Sequence, residues 1–141
     1  MRARTAVARG QSMNGTEWIV DAQGCSAHSL RNLDELKALF ARIVADLDLR
    51  PLGETRWHLF PGTGGITGLC LLSESHLACH TFPEFGSICL NLFCCVPRAR
   101  WDFEAELARR FSAQSVQVRE LSREYSAVEQ LMATGTLREV R

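Results

Sequence analysis

The stretch that most restricts the fold is Ile66–Cys94, where three apolar, strand-like runs follow one another with no helix-length segment between them. Ile66–Leu72 is rich in branched aliphatic residues, His76–Phe82 continues as a second run, and Ser87–Cys94 is a third. Pro83–Gly86 reads as a turn, because proline fixes φ and glycine relaxes it. Strands this closely connected read as an antiparallel meander.

The flanking segments supply the remaining layer. Thr16–Asp21 reads as a first strand stopped by Gly24. Asn32 or Asp34 can cap a helix in which Leu33, Leu36, Leu39, Phe40, Ile43, Val44 and Leu47 recur at helical spacing, ended by Pro51 and Gly53. Arg56–Phe60 is a further strand, followed by the glycine-rich loop 61–65. Pro97 breaks the sheet, and a second amphipathic helix then buries Trp101, Phe103, Leu107, Ala108 and Phe111. Ser115–Leu121 alternates apolar and polar residues as a half-buried strand does, and Tyr125, Val128, Leu131 and Met132 suggest a short last helix. The order β-α-β-β-β-β-α-β-α predicts the α+β class: a two-layer α/β sandwich with a largely antiparallel sheet and helices on one face. Residues 1–14 are expected as a disordered N-terminal extension, with Met13 as an alternative start. Residues 15–133 are expected as a single domain and 134–141 as a loose C-terminal tail.

Composition excludes several functions. The 141 residues suit one domain, and 16 basic residues balance 16 acidic ones, so no basic surface invites nucleic acid. Near-neutrality mildly favours self-association. No apolar run reaches the roughly 18 residues that span a bilayer. Arg2, Arg4 and Arg9 stand in a stretch without the apolar core of a secretory signal. The six cysteines form no CxxC pair and no zinc-type Cys/His spacing, so no metal is expected. Reduced thiols in a cytoplasmic protein are the better reading than disulfides, and a thiol- or metal-binding module is a rival.

The chemistry concentrates in Leu72–Gly86, which carries a serine pair, two histidines, two glutamates and a cysteine between apolar runs. Polar groups this dense cost desolvation unless something uses them. His76 and His80 are four apart on a strand, hence on one face but roughly 13 Å from each other, too far for one metal ion. The loop Pro61–Gly68 has no Gly-Lys-Ser/Thr, and the third glycine of a GxGxxG pattern would fall on Thr67. No GxSxG elbow is present either.

Ser73-Glu74-Ser75-His76, then His80-Thr81-Phe82-Pro83-Glu84-Phe85-Gly86, then Phe93-x-Cys95 resembles the prokaryotic S-adenosylmethionine decarboxylase proenzyme family, whose stretch reads E-S-H-x-x-x-H-T-W-P-E-Y-G and then D-V-F-T-C-G. Gly65-Ile66-Thr67-Gly68 and Val20-Asp21-x-x-Gly24-Cys25 are similar to two further motifs of that family, so the likeness runs from about Gly15 to Leu121. The resemblance implies a pyruvoyl-dependent enzyme that cleaves itself between Glu74 and Ser75. Ser75 would become the pyruvoyl group and form the Schiff base with substrate. His80 would be the processing base, assisted by the Thr67 hydroxyl. Cys95 would return a proton to the product, a task suited to a thiol titrating near neutrality. Glu84 would hold the ribose, and Phe60 is a candidate for stacking on adenine. The implied reaction turns S-adenosylmethionine into the decarboxylated aminopropyl donor for spermidine synthesis. The implied assembly is a homodimer of cleaved subunits with shared active sites.

Some positions depart from the family pattern. Phe82 replaces tryptophan, Phe85 tyrosine and Asn91 aspartate; Cys94 and Val96 flank Cys95 in place of threonine and glycine, and Glu17 stands where histidine is common. Two rivals follow: arginine or ornithine as substrate of the same pyruvoyl chemistry, and a non-processing regulatory paralogue.

Overall fold

A computed structural model describes residues 14–135. The expectations for residues 1–13 and 136–141 lie outside the described residues, and Asn14 opens the first strand. The elements are β1 (Asn14–Gln23), α1 (Ala27–Leu30), α2 (Leu33–Asp46), β2 (Arg56–Leu59), β3 (Ile66–Leu72), β4 (Ser75–Phe82), β5 (Ser87–Cys94), α3 (Phe103–Phe111), β6 (Ser115–Glu124) and α4 (Val128–Ala133). The six strands form one sheet in the order β2-β3-β4-β5-β1-β6, every pair antiparallel. The meander is β3-β4-β5, and the two-layer α+β sandwich expected from the element order is what the chain builds.

Local chemistry accounts for the helices. Asn32 caps α2 by accepting from the backbone N–H of Asp34 and Glu35, and Leu36, Leu39, Phe40 and Ile43 form its buried stripe. Asp102 caps α3 in the same way through Ala105 N–H, burying Phe103, Leu107 and Phe111. The one-turn α1, capped by Ser26, is too short to leave a periodic mark.

Strand alternation sorts the sheet into two faces. Trp18, Val20 and Ala22 of β1, Ile66, Cys70 and Leu72 of β3, Leu77 and Cys79 of β4, and Ile88, Leu90, Leu92 and Cys94 of β5 are buried together with the helix residues. Fully burying one such aliphatic side chain stabilises the fold by about 1.5–3 kcal/mol. The edge strand is tied to α2 by Trp57, which meets Phe40 at 4.9 Å between ring centroids and lies over Gly68. A Cβ at Gly68 would fall 2.3 Å from that indole. The opposite face is the more exposed one. It carries Glu17, Ile19 and Asp21 of β1, Thr67, Leu69 and Leu71 of β3, His76 and His80 of β4, and Cys89, Asn91 and Phe93 of β5. Leu69 and Leu71 are 50% and 59% exposed on it.

Candidate active site

Ser73-Glu74 is the two-residue turn between β3 and β4, with Leu72 paired to Ser75 across it. Two-residue hairpins favour turns with positive φ, usually supplied by glycine or asparagine. Neither residue type stands at 73 or 74, and the positive φ falls on Ser75 instead, at 148°. A non-glycine residue there carries strain on the order of 1–3 kcal/mol and needs surroundings that enforce it.

Those surroundings are visible. The Glu74 carbonyl accepts from Cys95 N–H at 2.7 Å, and Ser73 N–H donates to the Arg50 carbonyl at 2.8 Å. The Glu74 side chain is only 8% exposed; its Oε2 accepts from Arg50 N–H at 3.1 Å and its Oε1 lies 3.7 Å from the Arg98 guanidinium. Arg98 is itself held, Nε donating to the Leu47 carbonyl at 2.7 Å. The Tyr125 hydroxyl donates to the Cys95 carbonyl. β1 comes close here because Gly15 has no side chain: a Cβ would sit 2.8 Å from the Cys94 oxygen.

The pleat separates the paired thiols. Cys94 is buried, and desolvation pushes it up to about 11; the more deeply buried Cys79 is pushed up to about 12 for the same reason. Both are small core residues at neutral pH. Cys95, half-buried, lies at the edge of the site. All six cysteines are free, and the described residues contain no group of three His, Cys, Asp or Glu placed to hold a metal.

Beside Ser75, His76 Nε2 lies 2.8 Å from Asn91 Oδ1, Asn91 Nδ2 donates to Glu17 Oε1 at 2.9 Å, and Arg123 donates to Glu17 Oε2 at 2.5 Å. A carboxylate only accepts, so the Asn91 amide turns its oxygen to His76, and His76 donates from Nε2. The Asn91 donor is the main reason the Glu17 carboxyl lies below its ordinary value of 4.5; Arg123 adds to this and burial opposes it. Glu17 and Asn91, two separate departures in the sequence, are hydrogen-bond partners in the fold.

A second cluster sits at the other end of β4. Thr67 Oγ1 and His80 Nδ1 are 2.9 Å apart, on paired residues of β3 and β4. They open on a cavity of about 290 Å³ also lined by Phe60, Phe82 and Glu84. Phe60 is 47% exposed and meets His58 edge-on at 4.6 Å. The buried Thr81 hydroxyl pins this end of the strand, donating to the Leu30 carbonyl and accepting from Ile66 N–H, both at 2.9 Å. A larger hollow of about 390 Å³ beside α2, lined by Phe40, Val44, Pro51 and Trp57 among others, offers no histidine, thiol or carboxylate.

The site residues read from the sequence therefore fall into two groups. Glu74, Ser75 and Cys95 lie together, as do Thr67, His80, Phe60 and Glu84. Five residue steps carry the strand from Ser75 to His80, roughly 16 Å along β4. One chain does not bring the bond and its expected base into contact. Arg50, Arg98, Tyr125 and the His76-Asn91-Glu17-Arg123 chain carry no spacing signal that would have assigned them to the site.

Fold and site together define a helix-backed antiparallel sandwich whose acid–base and thiol groups sit along its sheet. More particularly, the chain belongs to the S-adenosylmethionine decarboxylase family, whose model matches residues 16–124. Relatives named S-adenosylmethionine decarboxylase proenzyme include those of Moorella thermoacetica, 31% identical over 77% of this chain and 86% of the relative, and Acetivibrio thermocellus, 33% identical over 77% and 87%. The crystal structure of the adenosylmethionine decarboxylase from Aquifex aeolicus superimposes with a TM-score of 0.64 at 20% identity, covering 85% of this chain and 97% of that one. At that identity it supports the fold.

Proposed function

We propose that this chain cuts itself between Glu74 and Ser75, turns Ser75 into a pyruvoyl group, and decarboxylates S-adenosylmethionine to the aminopropyl donor used in spermidine synthesis. The observation that carries the proposal is the Glu74-Ser75 junction: a strained serine whose preceding carbonyl is polarised by Cys95 N–H at 2.7 Å. Strain raises the ground state, and the N–H is aimed at the oxygen on which charge develops when Ser75 Oγ attacks. The residues present fit the group: the serine supplies the carbon skeleton, and the donor already faces the carbonyl.

In processing, a base takes the Ser75 hydroxyl proton and later its α-proton. His80 has the chemistry for this, with Thr67 fixing its ring through Nδ1. The pyruvoyl ketone supplies the electron sink for the charge left when carbon dioxide departs. Cys95 holds the proton that returns to the product carbon. Glu84 accepts hydroxyl donors of the ribose, and Phe60 and Phe82 offer faces for the adenine and the sulfonium.

The two groups of residues meet when a second copy of the chain lies with its open sheet face against the first. Ser75 and Cys95 of one subunit then receive Thr67 and His80 of the partner subunit, and a twofold axis completes two sites at once. Exposed Leu69, Leu71 and Leu121 on the open face support this assembly. Free thiols support a reducing, cytoplasmic setting.

The test is intact-mass analysis of wild type beside Ser75→Ala. Two fragments split before position 75 are expected for the first and one chain for the second. A wild-type chain that stays whole and unreactive toward hydroxylamine would sink the proposal. Carbon dioxide released from labelled arginine or ornithine, and not from S-adenosylmethionine, would transfer it to another substrate.

A further inference from the structure

Glu74 contributes the carbonyl that Ser75 attacks, yet its own side chain is a second, buried carboxylate. Two stages of processing put an additional negative charge on this residue. In the first, Ser75 Oγ bonds to the Glu74 carbonyl carbon, its proton passing to a base, and the carbonyl oxygen becomes an anion. Collapse breaks the C–N bond, the nitrogen takes a proton, and an ester remains. In the second stage the Ser75 α-proton is removed and the Cβ–Oγ bond breaks. Oγ departs with Glu74 as a new C-terminal carboxylate, and residue 75 is left as an enamine. Tautomerisation and addition of water then release ammonia. At both stages residue 74 bears two negative charges a few bonds apart, a repulsion that burial strengthens.

Arg98 opposes that charge. Pro97 ends the sheet directly after Cys95-Val96, and the next residue turns its guanidinium back to within 3.7 Å of Glu74 Oε1. The cation is fixed from behind by the Leu47 carbonyl at 2.7 Å and the Asp48 carbonyl at 3.4 Å, at the end of α2. Arg50 N–H holds the other carboxylate oxygen, so the Glu74 side chain is drawn away from its own carbonyl, which points at Cys95.

We propose that Arg98 is a positioning residue for self-processing: by holding and neutralising the Glu74 carboxylate, it permits the second charge to form on residue 74 and retains the new C-terminus after the cut. This rests on the processing reaction of the preceding section.

The experiment follows cleavage of freshly refolded, uncut chain by intact mass. Arg98→Met is expected to slow cleavage on the order of tenfold or more, given the loss of a nearby compensating charge. Arg98→Lys should recover most of the rate. Glu74→Gln combined with Arg98→Met should recover it as well, because the uncompensated carboxylate is gone while the amide oxygen still accepts from Arg50. Urea melts of the same substitutions in a Ser75→Ala background separate rate from stability. Cleavage of Arg98→Met at the wild-type rate overturns the inference, as does slow cleavage that neither rescue relieves. Should Arg98→Met fail to fold, Arg98→Gln beside Arg98→Lys decides: the lysine is expected to cleave near the wild-type rate and the glutamine on the order of tenfold or more slower, and equal rates for the two overturn the inference. An uncleaved wild type would instead refute the proposed function itself, and this inference with it.

Discussion

Ser75→Gly should give a more stable protein than Ser75→Ala, although both remove the hydroxyl and neither can be cut. The comparison isolates the backbone. Alanine keeps a Cβ at φ 148° and so retains strain on the order of 1–3 kcal/mol. Glycine escapes it but adds about 0.5–1 kcal/mol of unfolded-state entropy. The balance favours glycine by about 1 kcal/mol, which for a domain of this size moves the melting temperature by about 4 °C. Thermal melts followed by circular dichroism and urea midpoints at one protein concentration measure it. A glycine variant less stable than the alanine variant by the full glycine penalty of about 0.5–1 kcal/mol would show that the Ser75 backbone stores no strain, and the ground-state contribution to self-cleavage would have to be abandoned.

Further outcomes test the rest. Mixing uncut Ser75→Ala and His80→Ala chains during refolding should restore about a quarter of wild-type sites, since half the random dimers are mixed and each has one intact site; no cleavage of the His80→Ala chain in the mixture would refute the shared site. Alkylation of native protein at neutral pH, mapped by mass, should reach half-buried Cys95 ahead of Cys79 and Cys94, whose burial keeps them protonated up to about 12 and about 11. Glu17 titrates below its ordinary 4.5 in the fold, so its stabilisation is complete above that value and is lost as pH falls through the lowered one. Glu17→Gln should flatten the acid limb of the stability curve, and an unchanged limb in urea melts would contradict the Asn91 and Arg123 pairing.

Much of the fold could be read from residues whose signal is local. Ile66–Cys94 had to be a meander because its turns are short, and the 33–47 periodicity marked α2 to within a residue. The one-turn α1 escaped because four residues carry no period. The motif singled out Glu74 and Ser75, but nothing in the spacing pointed to the clamp the fold puts on them. Arg50 and Arg98 each lie 24 residues from Glu74, and an ion pair closed by tertiary folding leaves no spacing in the chain. The division of the site was implicit in β4 itself. The strand rise that keeps His76 and His80 from sharing a metal also keeps Ser75 from His80.

If the chain is cut between Glu74 and Ser75 as proposed, the sheet order has a consequence for the life of the molecule. Residues 1–74 contribute β1, β2 and β3, and residues 75–141 contribute β4, β5 and β6, yet β1 lies between β5 and β6. The two products are thus woven together along three ladders, and separating them means unfolding both. Before such a cut, denaturation is a unimolecular event within each chain; after it, denaturation would release independent polypeptides that must find one another again, and residue 75 would no longer have the amine with which to rejoin its neighbour. Maturation would then be a one-way gate: the information needed to fold is spent while the chain is whole, and the active form is inherited from a structure it could not easily rebuild.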